Sequence, residues 1–478
     1  MSENDGIRFA TTEINADASL TPVELQFEGN SETGWLIRRN GTEHLALGAG
    51  YRLLETQYCG LCSTDLDRPF LPFPLPQVVG HEVVARDEMG QRCVIEINAS
   101  HRARGIEANC PFCDAGLDRH CPERLVLGIH DLPGGFAPQI LAPIDSVLPI
   151  SDEIEDEVAV LLEPFAAALH AVDSIRFQNG DRVAVLGPRR LGLLIIAALA
   201  ARKRVGGLDI EIHAWSRHED LCRRAYELGA DAASSPPNRD DTPRAEVVFD
   251  TTGHPEGFEQ ALGLAGREVH LKSTHGRPAG GLVQSTALVV DELRLQKWTG
   301  DLADPGTKTA NQKPTRIAWL SSAPSPPTSK HVEIIRGEEA ADMLRILETN
   351  PQSGLPRMDA AVVDSLQGVD EVIRPIEGRE SALVRPQGTI FLHPTPHSDH
   401  LTSGLAQAIL LRNLSLSASR CGDFRPALAL LQTDAQLRTD IAQLITHRMT
   451  AENLTAAFEQ ARRHDTIKVI VEHPTKIP

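Results

Sequence analysis

The residues best equipped for chemistry are cysteines. Of the eight in the chain, Cys59, Cys62, Cys110, Cys113 and Cys121 fall in two groups with metal-ligand spacing. The sharper group is Cys110-Pro111-Phe112-Cys113 followed by Cys121. A CxxC turn closes a short chelate suited to a tetrahedral, sulfur-ligated ion, and three thiolates call for a fourth donor. Glu107 continues the every-third spacing and is the expected fourth ligand, with His101 as the alternative across a longer loop. Such an ion would staple a loop that has too few apolar residues to fold by burial. A redox-active CxxC or a set of buried unpaired thiols is the competing reading.

The second group draws on distant positions: Cys62, His81 and Glu82, with Glu163 far downstream. A catalytic zinc takes a few protein ligands from Cys, His and carboxylate and leaves a position for water or substrate. It then acts as a Lewis acid on a carbonyl or alcohol oxygen. Cys62 supplies a thiolate, His81 an imidazole, and Glu163, before Pro164 near a helix start, the third ligand. Taken alone these residue types are common, and a core cysteine, a satisfied histidine and a surface glutamate remain the plain alternative.

A third pattern concerns phosphate. A strand over 182–186 runs into Gly187-Pro188-Arg189-Arg190-Leu191-Gly192 and then an apolar helix. That is the layout of a dinucleotide-binding turn, whose glycines allow a tight turn, close pyrophosphate approach and close helix–strand packing. Arg189 replaces the middle glycine, but the helix N-terminus still offers free amides to a phosphate. At the end of the next strand, Ser216 and Arg217 stand where an acidic residue usually grips a ribose hydroxyl. Arg pairs bidentately with phosphate, so the lean is to NADP over NAD.

These residues need a scaffold. Residues 25–149 give short alternating segments broken by Gly and Pro, such as 35–38, 51–56 and 92–97, which predicts a mostly β domain. From 151 the texture becomes strand–helix alternation with apolar strands, the signature of a parallel sheet covered on both faces. Residues 298–329 read as loop, yet strand-like 316–320, 360–363 and 389–392 and helical 338–347 predict further α/β structure. The segment 245–250, helix, 267–271 is faintly echoed by 359–364, helix, 387–392, a pattern common enough to arise by chance. Helices are expected over 426–431 and 441–447, and a closing strand over 467–471.

Composition sets the outer limits. The 478 residues carry 65 acidic against 47 basic side chains, a net charge of −18 that disfavours a nucleic-acid partner. No apolar stretch is long enough to cross a bilayer, so no membrane partner is expected. Neither a signal peptide nor a disulfide scaffold is read, and free thiolates fit a reducing, cytoplasmic setting.

Taken together, the chain resembles the zinc-containing medium-chain dehydrogenases, which include alcohol, threonine, sorbitol and glucose dehydrogenases. Gly60-Leu61-Cys62-Ser63-Thr64-Asp65 matches the first catalytic-ligand motif, Gly80-His81-Glu82 the second, and Leu162-Glu163-Pro164 the third as found in the polyol and sugar branches. Cys110, Cys113 and Cys121 match three of four structural-zinc ligands, with Glu107 at the first. The resemblance implies an α/β Rossmann cofactor domain plus a mostly-β GroES-like catalytic domain. It places Thr64 in the hydroxyl relay and Glu82 in or near the zinc shell. The relay histidine is absent, with Asp67 in its place.

By this resemblance residues 1–170 and 420–478 form the GroES-like domain with a zinc lobe near 101–121, and 171–292 with 403–419 the cofactor domain. Residues 293–402 are an extra α/β insertion that could cap, extend the sheet or make an interface. It falls beside the family's dimerising strand, so a homo-oligomer stays open. The implied function is zinc-dependent hydride transfer between a secondary alcohol, polyol or sugar-type small molecule and NAD(P). The rival is a redox-inactive, zinc-stabilised binding or regulatory protein.

Overall fold

The computed structural model describes residues 6–71, 73–107, 110–238, 244–272, 276–300, 314–349, 355–377, 381–394 and 403–474. Their contacts divide the chain into two units, residues 1–167 with 421–478, and residues 168–420. Among the described residues, no helix is long and apolar enough to cross a membrane.

The first unit is built on antiparallel strands. A four-stranded meander comes first: β1 (Ile7–Ile14), β2 (Leu20–Asn30), β3 (Gly34–Arg39) and β4 (Thr42–Leu47). Its alternation is legible in β2, which buries Val23, Leu25 and Phe27 and turns Glu24 outward. Then follow β5 (Tyr51–Leu61), α1 (Ser63–Leu66), β6 (Glu82–Arg86), β7 (Arg92–Ile95), β8 (Asn98–Ala99), α2 (Pro111–Asp114) and β9 (Leu125–Val126). After these come β10 (Gln139–Pro143), β11 (Val147–Pro149), α3 (Asp156–Ala159) and α4 (Leu162–Asp173).

The second unit is one large sheet. Its first part runs β12 (Asp181–Leu186), α5 (Arg190–Gly206), β13 (Ile210–Trp215), α6 (Glu219–Glu227), β14 (Ala232–Ser234), β15 (Ala245–Asp250), α7 (Pro255–Leu264) and β16 (Ala265–Leu271). Then come α8 (Ser285–Val290), β17 (Arg294–Lys297), β18 (Thr315–Trp319), β19 (Val332–Arg336), α9 (Ala340–Thr349), β20 (Met358–Val363), α10 (Leu366–Ile373), β21 (Val384–Leu392), α11 (Gly404–Arg412) and β22 (Ser415–Ala418). The spatial order is β14-β13-β12-β15-β16-β22-β17-β21-β20-β18-β19, eleven strands in a single sheet. The inserted segment therefore extends the sheet. The loop expected over 298–329 falls in part on 301–313, which lie outside the described residues.

The first unit resumes with α12 (Phe424–Thr433), α13 (Ala435–Ala442), β23 (Ile445–Thr450), α14 (Leu454–Arg462) and β24 (Lys468–Glu472). The expected helix over 441–447 is corrected here: α13 stops at Ala442 and Ile445 begins a strand. Ile445, Thr446 and Thr450 suit a strand better than a helix, and β23 pairs in parallel with β24. β24 in turn pairs with β5, which brings Lys468 beside Leu61 and the chemistry after it.

Candidate metal centres and cofactor turn

Cys62 stands at the end of β5 as the N-cap of α1, in extended conformation. Three backbone features bring the next donors to it. Gly60 faces Glu82 across the β5–β6 pair, where a β-carbon would lie 2.0 Å from Glu82 Oε2. Gly80 has φ +103°, a region that favours glycine, and a β-carbon there would also meet Cys59 Sγ at 2.7 Å. Asp65, almost fully buried, ties the two segments together. Its Oδ2 accepts from Cys62 N at 2.9 Å, its Oδ1 accepts from Gly80 N at 3.2 Å, and Oδ1 lies 3.3 Å from His81 Nδ1.

As a result Cys62, His81 and Glu82 each place a donor atom within 4.8 Å of the others, a group able to hold a metal ion. Burial opposes a charged His81, but the Asp65 carboxylate and Cys62 outweigh it and hold the imidazole well above 6.5. With Nδ1 turned to Asp65, Nε2 is left as the ligand nitrogen, the arrangement by which a carboxylate orients a metal-binding histidine. Glu82 is fully buried: Oε2 is ion-paired with buried Lys468, and Oε1 has no hydrogen-bond partner. A buried carboxylate oxygen with no partner beside a thiol and an imidazole fits a cation. Thr64 Oγ1 lies 3.7 Å from Cys62 Sγ. Neighbouring Cys59 is a different case, since burial pushes its thiol well up and it stays protonated.

Glu163 is not in this group. It sits half-buried in the first turn of α4. The roles of Asp65 and Lys468 were missed from sequence. Asp65 is visible only as part of the GLCSTD run, and Lys468 lies some four hundred residues away in a strand with no local signal.

The second group is His101, Cys110, Cys113 and Cys121, all buried, with donor atoms again within 4.8 Å. Pro111 opens α2 directly after Cys110, so the short helix places Cys113 one turn along. The 3-10 turn Asp118–His120 then returns Cys121 to the centre. His101 Nδ1 lies 3.3 Å from Cys121 Sγ and 3.9 Å from Cys113 Sγ, and Cys110 and Cys121 sulfurs are 3.8 Å apart. His101 Nε2 meets Glu123 Oε2 at 3.1 Å, which orients the ring. Glu107 does not complete the set: it is exposed and lies outside the group. His101 follows β8, whose pairing with β9 holds it over the loop, and that fold-level constraint overrides the every-third spacing. Burial raises the Cys113 thiol and pushes Cys121 up to about 12, so without a metal these two stay thiols at neutral pH.

On the second unit, Gly187 follows β12 with φ +75° and packs on Thr252, where a β-carbon would approach Thr252 Cγ2 to 2.7 Å. A β-carbon on Gly192 would lie 2.6 Å from Thr251 Oγ1. Those are the tight-turn and close-packing roles of the first and third glycines. Arg189, with φ −120°, caps α5 in a backbone that needs no glycine, and Arg190 begins the helix with Leu191 behind it. Pro188 completes the turn. Thr251 Oγ1 donates to the carbonyls of Leu186 and Gly187 at 3.0 Å, and sequence reading passed over it.

β12 lies between β13 and β15, so the turn opens where the strand order reverses, the crevice that binds ligands in such sheets. Beside it a cavity of about 530 Å³ is lined by Ser216, Arg217, Cys222, Arg223, Ser234 and Ser235, among others. Ser216 is buried and accepts from His218 N at 3.1 Å, while Arg217 is exposed.

A GroES-like β unit and a doubly wound sheet give the chain the fold of the zinc-containing medium-chain dehydrogenases/reductases, accompanied by two cysteine–histidine groups able to hold a metal ion. Residues 48–152 match the model of the alcohol dehydrogenase GroES-like domain. The chain is 30% identical to L-galactonate-5-dehydrogenase of Escherichia coli K12 over 155 residues, 30% of this chain and 44% of that one. It is 28% identical to (R,R)-butanediol dehydrogenase of Bacillus subtilis over 270 residues, 51% of this chain and 70% of that one. The chain thus spans less than half the length of the first relative. Among solved structures, an alcohol dehydrogenase of E. coli CFT073 complexed with NADH superposes with TM-score 0.57 at 17% identity, covering 98% of this chain and 100% of that one. A zinc-binding dehydrogenase of Sinorhizobium meliloti bound to NADP gives 0.52 at 18%, covering 97% and 99%.

Proposed function

We propose that the protein is a zinc-dependent oxidoreductase that moves a hydride between a secondary alcohol, polyol or sugar-type substrate and NAD(P). The observation that carries this reading is the convergence of Cys62, His81 and Glu82 around an otherwise unpartnered buried carboxylate oxygen. Cys62 and His81 would hold the catalytic zinc, with the Glu82 carboxylate close by and Glu163 the third ligand by its motif. His101, Cys110, Cys113 and Cys121 hold a structural zinc.

Held by these residues, zinc would supply Lewis-acid chemistry at a substrate oxygen and a nicotinamide would supply the hydride acceptor. The chain's own residues do the rest. Asp65 fixes the His81 ring and the Cys62 backbone, so the ligands meet substrate without reorganising. Thr64 accepts the hydrogen bond of the substrate hydroxyl and passes its proton to water, since Asp67 stands where a relay histidine would. Lys468 neutralises Glu82 and keeps a second negative charge from building beside the Cys62 thiolate. Gly187, Arg189, Arg190 and Gly192 cradle the pyrophosphate at the α5 N-terminus. Ser216 and Arg217, with Arg223 lining the same cavity, favour a 2′-phosphate and hence NADP. The substrate is a small molecule, with neither nucleic acid nor membrane as partner, and the free thiols suit the cytoplasm.

The test is nicotinamide absorbance with NADP and NAD over a panel of polyols, sugar acids and amino alcohols, with and without chelator. Chelator-sensitive turnover with a lower KM for NADP supports the reading, and Arg217→Ala should erase the preference. Chelator-insensitive turnover would sink the zinc role. Failure of calorimetry to detect either cofactor would favour the redox-inactive alternative.

A further inference from the structure

The eleven-stranded sheet is two parallel half-sheets joined by one antiparallel contact, β22 beside β17. Read outward from that junction, one half runs β22-β16-β15-β12-β13 and then β14. The other runs β17-β21-β20-β18-β19. The first five strands of each match in order, and β14 has no counterpart. α7 links β15 to β16 as α10 links β20 to β21, and α6 precedes β15 across β14 as α9 precedes β20. Both inner pairs also shift register at the same place, between Ala245 and Val247 in one and between Met358 and Ala360 in the other.

The match is exchanged at the centre. β17 follows β16 in sequence but lies beside β21, while β22 follows β21 in sequence but lies beside β16. Each half has surrendered its closing strand to the other. Leu416 pairs with Val269 on β16, Leu295 pairs with Ile390 on β21, and Leu295 and Leu416 face each other. Equivalent residues of two equivalent bodies meet across the join, which is the mark of a two-fold, self-complementary contact.

A buried ladder selects this exchange. Glu268, His270 and Lys272 share one face of β16, and Ser417 and Ser419 face them from the β22 side. Lys272 donates to Ser419 Oγ at 3.1 Å, and Ser419 Oγ lies 2.8 Å from His270 Nε2. His270 Nδ1 lies 2.9 Å from Ser417 Oγ, which donates to Glu268 Oε1 at 2.5 Å. An ammonium only donates and a carboxylate only accepts, so the chain of bonds has one direction and His270 is the neutral Nδ1–H form. In the second half Thr389 and Phe391 occupy the places of Glu268 and His270, so the serines of β22 would face neither a carboxylate nor an imidazole there.

The halves differ where a cofactor would bind. Between β12 and β13 stand Gly187, Gly192 and α5. Between β18 and β19 stands Leu320–His331, which has three prolines, no glycine and no helix. That turn has neither the glycines nor the helix N-terminus that stand at the equivalent place in the first half.

We propose that the half-sheet β17–β21 is an in-chain stand-in for a second copy of the first half: it covers the β22 edge, which would otherwise be open to another chain, and carries no second dinucleotide site. The sheet then closes within one chain, and one cofactor binds per chain. The cofactor count rests on the function proposed above; the strand exchange does not.

The deciding experiment is the 478-residue chain carrying Leu295→Cys and Leu416→Cys, oxidised, denatured and resolved without reductant. The expected product has the mass of one chain, with a disulfide peptide joining positions 295 and 416. A product of twice that mass, or two unreacted thiols, overturns the proposal. Because the variant removes two core leucines, sedimentation equilibrium and NADPH calorimetry on the unaltered chain form the second arm. One equivalent bound per chain supports the proposal and two overturn it. Absence of binding counts against the proposed function alone and leaves the disulfide result to decide the exchange.

Discussion

The two donor groups in the first unit use the same chemistry but are assembled by different means. His101, Cys110, Cys113 and Cys121 come from one short loop, and the order of that loop depends on their meeting. Cys62, His81 and Glu82 come from a strand end, a turn and a second strand, all packed on a core that includes Val83, Leu61 and Phe136. A local site folds its own neighbourhood, whereas an assembled site is folded by the rest of the protein. Loss of metal should therefore unfold the first and disarm the second.

Four variants break or sharpen that contrast. Cys62→Ala should lower kcat by more than about a thousand-fold, the scale of removing a principal transition-state stabiliser, with an unchanged melting temperature. A large drop in melting temperature would erase the distinction between the groups. Asp65→Asn should weaken metal binding at the Cys62 group about 10–100-fold, as loss of an orienting carboxylate does, while the lobe keeps its zinc. Metal-competition titration reads both.

Cys121→Ala should lower the melting temperature by several degrees at about 2–4 °C per kcal/mol for a unit of this size, with one metal equivalent lost. The smallest effect lies outside both groups and serves as the control. Burial, with the charge of Lys272 next, holds His270 well below 6.5. The unfolded chain takes up that proton and the folded chain does not, so this contribution to stability is present above about pH 6.5 and is lost as pH falls below it. Melting temperatures from pH 7.5 to 5 should fall less steeply in His270→Gln than in the unaltered chain. Equal slopes would remove His270 from the account.

What could be read from sequence follows the same division. The CxxC…C spacing is local and announces the lobe, but β8–β9 pairing is what brings His101, the alternative to Glu107, into the group, and spacing alone leaves both open. The Cys62 set was legible through its motifs, while Asp65 and Lys468 act through three-dimensional proximity that one sequence does not display. The doubly wound pattern of β12 to β16 was plain from strand–helix alternation. The strand exchange was not, because β17 and β22 each look like an ordinary closing strand, and periodicity cannot say which neighbour a strand chooses. Ile445–His447 fall inside the helix expected over 441–447 because Ile441, Leu444 and Ile445 keep helical spacing, although the helix ends at Ala442.

The most direct test is stepwise metal removal, with elemental analysis, turnover and melting temperature followed on the same samples. The account predicts two zinc equivalents: the first to leave abolishes turnover with little change in melting temperature, and the second lowers the melting temperature. Turnover that survives complete metal removal, or activity and stability lost together with the same equivalent, would contradict it.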